Sequence, residues 1–335
     1  MKNKIRIGVL GCANIARRSM IPAILELPEY FELIGVSSRN SEKAAKFSAE
    51  FGCMGYEGYE RMVQDPKIDA LYIPLPTGLH KEWINKALVA GKHVYSEKSI
   101  ASCYADAEAM VVEARKAGVV LMEGFMFQYH SQHLKVKELL ASGVIGELRN
   151  FYSAFSFPPL PSGDFRYDDE IGGGVLLDAA GYPLRATHFL LGDKFEVIAA
   201  TLHHDVDKGT QTYGSALLSD GRGMGASLSF SFDSFYQCRY ELIGQKGKII
   251  SERAFTPRAE FKPNIVVETA SGVTNIQTES DNHFVKALIA FHSAIDNSTK
   301  QEKLYWEILL QSSSLAKIKK MGMGNGVHSK LGFDT

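Results

Sequence analysis

The sequence predicts an α/β protein: a doubly wound parallel sheet, then a second unit built on an antiparallel sheet. Three observations carry this. Over roughly the first 120 residues, short apolar runs rich in β-branched residues alternate with helical periods. Beyond them, strand-like runs follow one another without long crossover helices. The 335 residues also leave room for two domains at about 150 residues each. The division expected is 1–124 and 125–335, with the C-terminal helices able to pack back on the first domain.

Ile5-Arg6-Ile7-Gly8-Val9-Leu10 reads as a buried strand. A helix follows over about Ile15–Leu27. Phe31–Val36 is a second strand, and a helix begins at Ser41, read as its N-cap. Ala70–Ile73 is a strand leading into Pro74-Leu75-Pro76. His80–Ala90 is helical and stops at Gly91. His93–Ser96 is the fourth strand of the series. Tyr104–Ala117 is a helix ended by Gly118, and Val119–Glu123 closes the set. After a helix at Ser131–Ser142 the period changes. In Ala226–Phe232, Leu228, Phe230 and Phe232 point one way and the serines the other. Similar runs lie near Arg149–Phe157, Glu196–His203, Gln211–Leu218, Arg239–Ile243, Lys248–Ser251 and Asn264–Glu268. Helices over about Asp281–Asp296 and Lys303–Lys319 follow, and the glycine-bearing tail from Met321 reads as a loop.

Composition narrows the function. Lys plus Arg number 37 and Asp plus Glu 38, a net charge of −1, which gives no electrostatic case for nucleic acid or a membrane surface. No apolar run reaches the length that spans a bilayer, and no signal-peptide core precedes the first strand. The four cysteines are scattered and form no CxxC, so a reduced cytoplasmic setting is expected.

Gly11-Cys12-Ala13-Asn14-Ile15-Ala16 joins the first strand to the first helix. It matches the dinucleotide fingerprint with alanine at its second and third glycine positions. Gly11 makes the tight turn, Ala13 lets the backbone approach a pyrophosphate, and the N–H groups at the helix start hold phosphate oxygens. The alternative is a tight strand–helix turn with no ligand. The second strand ends in Ser37-Ser38-Arg39-Asn40, with no carboxylate before Glu42. A hydroxyl beside a guanidinium suits a 2′-phosphate, which favours NADP(H) over NAD(H). The alternative for Arg39 is a solvated residue or one stacked on adenine.

Glu97-Lys98 follows a strand at the carboxyl edge, where doubly wound sheets bind ligands. Alone it is also a common surface pair. Far downstream lies Gly172-Gly173-Gly174-Val175-Leu176-Leu177-Asp178-Ala179-Ala180-Gly181-Tyr182-Pro183. Four residues apart, Asp178 and Tyr182 are expected to share one helix face. A tyrosine beside an ammonium is a workable general acid, the charge lowering its pKa. Without the lysine, a core tyrosine would be the better reading.

Taken in order, the fingerprint, Pro74-Leu75-Pro76-Thr77-Gly78-Leu79-His80, Glu97-Lys98 and Gly172-Gly173-Gly174…Asp178…Tyr182 resemble the glucose–fructose oxidoreductase/inositol dehydrogenase family. The resemblance covers roughly residues 4–320. It implies an N-terminal Rossmann domain, a C-terminal domain with a large, open-faced, mostly antiparallel sheet, and hydride transfer between nicotinamide and a sugar or polyol carbon. It places Gly11, Ala13, Asn14, Ile15, Ser38, Arg39, Leu75, Pro76, Thr77, His80, Glu97 and Lys98 at the cofactor, and Lys98, Asp178 and Tyr182 at the reacting carbon. It also implies a homodimer or homotetramer paired through the C-terminal sheet.

Two departures are informative. The usual Glu-Lys-Pro is Glu97-Lys98-Ser99, which is expected to loosen the turn. The common Asp…His pair is Asp178…Tyr182. The tyrosine, with Phe125–His133 and Phe155–Pro161, leans toward the nucleotide-sugar 3-ketoreductases of the family. The function expected is NADP(H)-dependent reduction of a nucleotide-linked keto-sugar at C3. Oxidation of a free aldose or trans-dihydrodiol is the alternative, and a non-catalytic nucleotide sensor ranks below both. Arg166 is a candidate for the substrate diphosphate, with a salt bridge to Asp168, Asp169 or Glu170 as the other reading. His80 is a candidate for the nicotinamide end. His130-Ser131-Gln132-His133 has ligand-like spacing but no third ligand nearby, so no metal is expected.

Overall fold

The computed structural model describes residues 4–324. The first half alternates β1 (Ile5–Leu10), α1 (Ile21–Leu25), β2 (Phe31–Ser38), α2 (Ser41–Phe51), β3 (Met54–Glu57), α3 (Glu60–Gln64), β4 (Ala70–Ile73), α4 (Thr77–Val89), β5 (His93–Ser96), α5 (Tyr104–Ala117) and β6 (Leu121–Glu123). The six strands form one sheet in the order β3-β2-β1-β4-β5-β6. Every pairing is parallel. The order reverses between β1 and β4, and a doubly wound sheet opens its ligand crevice at that point. Apolar clusters cover both faces, one around Leu71, Trp83 and Met110 and the other around Val9, Tyr72 and Phe291.

The second half runs α6 (Ser131–Ala141), β7 (Leu148–Ser156), α7 (Val175–Asp178), α8 (Gly181–Leu191), β8 (Glu196–Asp205), β9 (Thr210–Ser219), β10 (Gly225–Ser231), β11 (Gln237–Gly244), β12 (Gly247–Glu252), β13 (Asn264–Thr269), β14 (Gly272–Gln277), α9 (His283–Ile295) and α10 (Ser298–Gly324). Its eight strands form a sheet in the order β14-β13-β12-β11-β7-β10-β9-β8. It is antiparallel except for β7 and β10, which run parallel. α7 and α8 cover one face, packing Val175, Tyr182 and Leu184 against Phe155, Leu228 and Phe230. Tyr152, Tyr213 and Leu217 stand exposed on the strands. The C-terminal helices return to the first sheet: the Tyr305 hydroxyl donates to Val119 O, and Arg115 pairs with Glu302.

Several expectations need correction. The chain forms β3 and α3 between α2 and β4, so Glu97-Lys98 follows the fifth strand and not the fourth. β3 is four residues long with only Tyr56 buried, too short and too exposed to leave an apolar run. β14 is an almost wholly exposed edge strand and leaves no alternation either. The N-cap of α2 is Asn40, whose Oδ1 accepts from Lys43 N at 2.8 Å, and not Ser41. The first helix opens with a π-helical turn at Ala16–Met20. Met321–Gly324 continue α10 instead of forming a loop; the rest of the tail lies outside the described residues.

Candidate active site

The crevice is built from three loops at the carboxyl edge of the parallel sheet. Gly11 leaves β1 with φ +128°, which favours glycine, and a Cβ there would lie 2.8 Å from Leu75 Cδ2. The fingerprint loop and the Pro74-Leu75-Pro76 loop therefore touch across the switch point. Ser38 ends β2, its Oγ accepting from Asn40 N at 3.1 Å, and Arg39 stands exposed beside it. Arg39 also reaches the Tyr59 hydroxyl, whose pKa burial pushes up while the guanidinium pulls it down. Tyr59 stacks edge-on against Trp83 at 4.9 Å. A backbone cradle free of side chain at Gly11 and a hydroxyl–guanidinium pair at the second strand end fit a phosphorylated dinucleotide.

Lys98, just past β5, is drawn to the other half of the chain. Its Nζ donates to Asp178 Oδ1 at 2.8 Å and to Asp178 O at 2.7 Å. Arg166 Nε donates to Asp178 Oδ2 at 3.0 Å, and Arg166 Nη1 to Asp164 Oδ1 at 3.0 Å. Burial pushes the Asp178 carboxyl up, but Lys98 and Arg166 outweigh it and hold the group below the ordinary carboxylate range. Arg166 thus pairs with Asp164 and Asp178, not with Asp168, Asp169 or Glu170.

Tyr182 lies beside this network. Its ring centroid is 5.3 Å from Lys98 Nζ, inside a wall of Phe125, Phe155 and Phe255 at 5.6, 4.6 and 5.6 Å. Asp178 and Tyr182 do not share a helix. Asp178 ends α7, and α8 begins at Gly181. Pro183 explains the break: it has no N–H to give Ala179 O, and proline is tolerated only in a helix's first turn. The tertiary fold brings the two side chains to one site. The expected lowering of the Tyr182 pKa is also reversed. Burial pushes the phenol well above its ordinary value, helped by Glu97 and Asp178, while Asp178 occupies the ammonium.

Glu97 Oε1 accepts from the Tyr72 hydroxyl at 2.6 Å, and burial raises its carboxyl. His80 is fully buried, with Nδ1 2.8 Å from Ser99 O and Nε2 2.8 Å from Leu75 O. Both nitrogens of its ring are committed to backbone, so it braces two loops. The Lys98–Ser99 turn is pinned and not loosened: Ser99 Oγ donates to Leu177 O at 3.0 Å, next to the carbonyl that Lys98 holds. The missing proline ring gives no sign of this bond; the Ser99 hydroxyl, within reach of a carbonyl, is the local signal for it.

His133 is buried, its Nε2 donating to Ala254 O at 2.9 Å while the Tyr240 hydroxyl donates to Nδ1 at 2.8 Å. Among the described residues, no group of three or more His, Cys, Asp or Glu could hold a metal ion.

Comparison with known proteins agrees with this architecture. Residues 5–125 match the model of an oxidoreductase family with an NAD-binding Rossmann fold, and residues 133–250 match the GFO/IDH/MocA C-terminal domain. The chain belongs to the Gfo/Idh/MocA oxidoreductase family. Within it, the chain is 44% identical over 292 residues, 87% of each chain, to dTDP-3,4-didehydro-2,6-dideoxy-alpha-D-glucose 3-reductase of Saccharopolyspora spinosa. It is 31% identical, over 86% of its length and 88% of the relative's, to an NADP(+) D-xylose 1-dehydrogenase of Haloferax volcanii. Among solved structures, a 3-ketoreductase from Actinomadura kijaniata in complex with NADP and TDP-benzene superposes with a TM-score of 0.92 at 38% identity, covering 95% of this chain and 98% of that one. Forms of that enzyme carrying a tyrosine-to-phenylalanine or a lysine-to-alanine change are similar too, with TM-scores of 0.92 and 0.89.

Proposed function

We propose that this oxidoreductase is an NADP(H)-dependent 3-ketoreductase of a dTDP-linked deoxysugar, with dTDP-3,4-didehydro-2,6-dideoxy-α-D-glucose as the substrate class. The observation that carries the reading is the convergence of Lys98, Asp178 and Tyr182 at the carboxyl edge of the parallel sheet. Two further points support it. The 3-reductase relative stands at 44% identity against 31% for the xylose dehydrogenase. The lysine and tyrosine altered in the Actinomadura enzyme are separated by the same number of positions as Lys98 and Tyr182 here.

Gly11, Ala13, Asn14 and Ile15 hold the pyrophosphate, Ser38 and Arg39 the 2′-phosphate, and Leu75, Pro76 and Thr77 the edge of the crevice. NADPH, when bound, supplies the hydride. The chain supplies the proton and the positioning. The phenol of Tyr182, pushed above its ordinary pKa, keeps its proton at neutral pH, as a donor to a developing C3 alkoxide must. Lys98 has three donors and spends two on Asp178, which leaves the third for substrate and ribose oxygens. Asp178 aims the ammonium. Arg166 commits Nε and Nη1 to Asp178 and Asp164, and Nη2 is assigned to the substrate diphosphate. The aromatic wall around Tyr182 excludes water.

The domains are assigned as nucleotide-binding for 1–124, and substrate-binding and self-associating for 125–335. The chain pairs as a homodimer or homotetramer through the exposed face of the eight-stranded sheet, where Tyr152, Tyr213 and Leu217 lie. Among the described residues no helix is long and apolar enough to cross a membrane, and the four cysteines are unpaired. Both fit work in the cytoplasm.

The test is Tyr182→Phe. Turnover of the keto-sugar, followed by loss of NADPH absorbance, should collapse while NADPH still raises the melting temperature. A ligand at 100 times its Kd stabilises by about 2.7 kcal/mol, enough to read in melting. Equal loss of turnover and NADPH binding would sink the assignment of Tyr182. An NADPH shift that does not grow when dTDP is added would sink the nucleotide-sugar reading.

A further inference from the structure

Glu123 ends β6, next to the Lys98 loop, whose Ile100 N–H it accepts. Its side chain is 2% exposed, and both oxygens are used. Oε1 accepts from Ile100 N at 2.8 Å, two residues beyond Lys98. Oε2 accepts from Arg185 Nη2 at 2.8 Å, one helical turn beyond Tyr182 on α8. Arg185 is 5% exposed and makes a second, longer contact to Glu307 of α10 at 3.4 Å. Its guanidinium lies 4.8 Å from the centre of Phe125, the ring that packs edge-on against Tyr182. A single buried carboxylate therefore bonds to both pieces of chain that carry the reacting side chains.

Burying an ion pair is a poor way to gain stability, because desolvating two charges offsets most of their attraction. Such a pair does set direction. Each Glu123 oxygen fixes one partner by a charge-assisted hydrogen bond of short range and defined angle. Burial pushes the carboxyl up, while Arg185 and the Ile100 N–H pull it back.

We infer that Glu123 is a positioning residue that sets the spacing between Lys98 and Tyr182 by holding Ile100 N–H with one oxygen and Arg185 with the other. The inference rests on the reading that Lys98 and Tyr182 carry the reduction, and it goes beyond that reading by assigning a group that touches neither substrate nor cofactor.

The test uses Glu123→Gln, which keeps an acceptor for Ile100 N–H but loses the charge facing Arg185, and Glu123→Ala, which loses both links. Arg185→Lys probes the pair from its other end should the Glu123 variants fold poorly. Amide hydrogen exchange, which needs no substrate, should speed up at 97–101 and 178–186 and stay unchanged in β11 and β12. A misplacement of about 1 Å can cost on the order of a hundredfold in rate. The kcat per folded molecule is therefore expected to fall roughly tenfold in Glu123→Gln and further in Glu123→Ala, with the Kd for NADPH held. The solvent isotope effect on kcat should rise as proton transfer becomes limiting. Wild-type kcat in folded variants would overturn the inference. So would a parallel loss of kcat, NADPH binding and melting temperature, the mark of general structural damage. Tyr182→Phe run alongside separates the two readings. If it keeps its turnover, the reading of the site has failed; if it loses turnover while Glu123→Ala does not, only the positioning role has failed.

Discussion

Two of the glycine-bearing motifs of this chain, those of Gly78 and Gly172, meet backbone to backbone, and that contact gives a sharp prediction. Gly78 is the second residue of α4, and a Cβ there would lie 2.6 Å from Ile171 C and 2.8 Å from Ile171 Cα. Gly172 answers it: a Cβ at that position would lie 2.6 Å from Gly78 N. Ordinary contact begins near 3.4 Å, so Gly78→Ala leaves the added carbon 0.8 Å short of room. Ile171 C and Cα are main-chain atoms and cannot swing away as a side chain would. The 164–174 segment must move, and it carries Arg166 and Asp164, which fix Asp178. Overpacking of this kind costs about 1–3 kcal/mol, and alanine's better helix propensity returns at most about 1. A net loss of about 1–2 kcal/mol should lower the melting temperature by a few degrees. The larger effect is expected in turnover: displacement approaching 1 Å at Asp178 should cost on the order of tenfold to a hundredfold in kcat. The control is Gly225→Ala in β10, where the nearest atom to an added Cβ is 3.9 Å away. Melting by differential scanning fluorimetry and NADPH-coupled turnover would be read on both. Wild-type turnover in Gly78→Ala would refute the idea that this contact sets the segment's position.

Three other predictions follow from the same geometry. Arg39→Ala should weaken NADPH binding by roughly tenfold to a hundredfold, the worth of a charge-assisted bond, and leave NADH binding unchanged; fluorescence titration of both cofactors checks it. Ser99→Ala leaves Leu177 O without its donor and should cost about 1 kcal/mol in urea unfolding with a severalfold drop in kcat; wild-type kcat would mean that Lys98 holds its place unaided. Acid should destabilise the fold early. Burial lowers His133 and His283 to about 3 and His188 to about 4, all from 6.5. Between these values and 6.5 the unfolded chain binds protons that the folded chain does not, so stability falls as pH falls, by up to about 1.4 kcal/mol per pH unit for each histidine. Urea midpoints at pH 7, 6 and 5 (values chosen as roughly spanning the unfolded histidine pKa) test this. A flat midpoint would contradict it, and His283→Asn should shallow the slope.

Much of this was legible in the chain. β1, β2, β4 and β5 announce themselves because strands covered on both faces carry runs of apolar, β-branched and aromatic residues, β4 being buried at every position from Ala70 to Ile73. The fingerprint at Gly11 is legible because its turn requires a positive φ. β3 and β14 left no pattern because neither buries a stripe of side chains. Pro183 could have separated Asp178 from Tyr182, since a missing N–H is a local fact.

The sequence by itself determined the kinds of chemistry present: a glycine turn for a dinucleotide, a hydroxyl–guanidinium pair for a phosphate, and an ammonium, a carboxylate and a phenol for proton and charge. These depend on residue type and local conformation, which short stretches of chain dictate. Only the tertiary structure decided which groups face one another. It turned His80 onto two backbone carbonyls, Arg166 onto Asp178 and Asp164, and Glu123 onto Ile100 and Arg185. It also turned the expected lowering of the Tyr182 pKa into a raising, because burial and the charges gathered around a group set its proton affinity, and both are sums over residues distant in the chain.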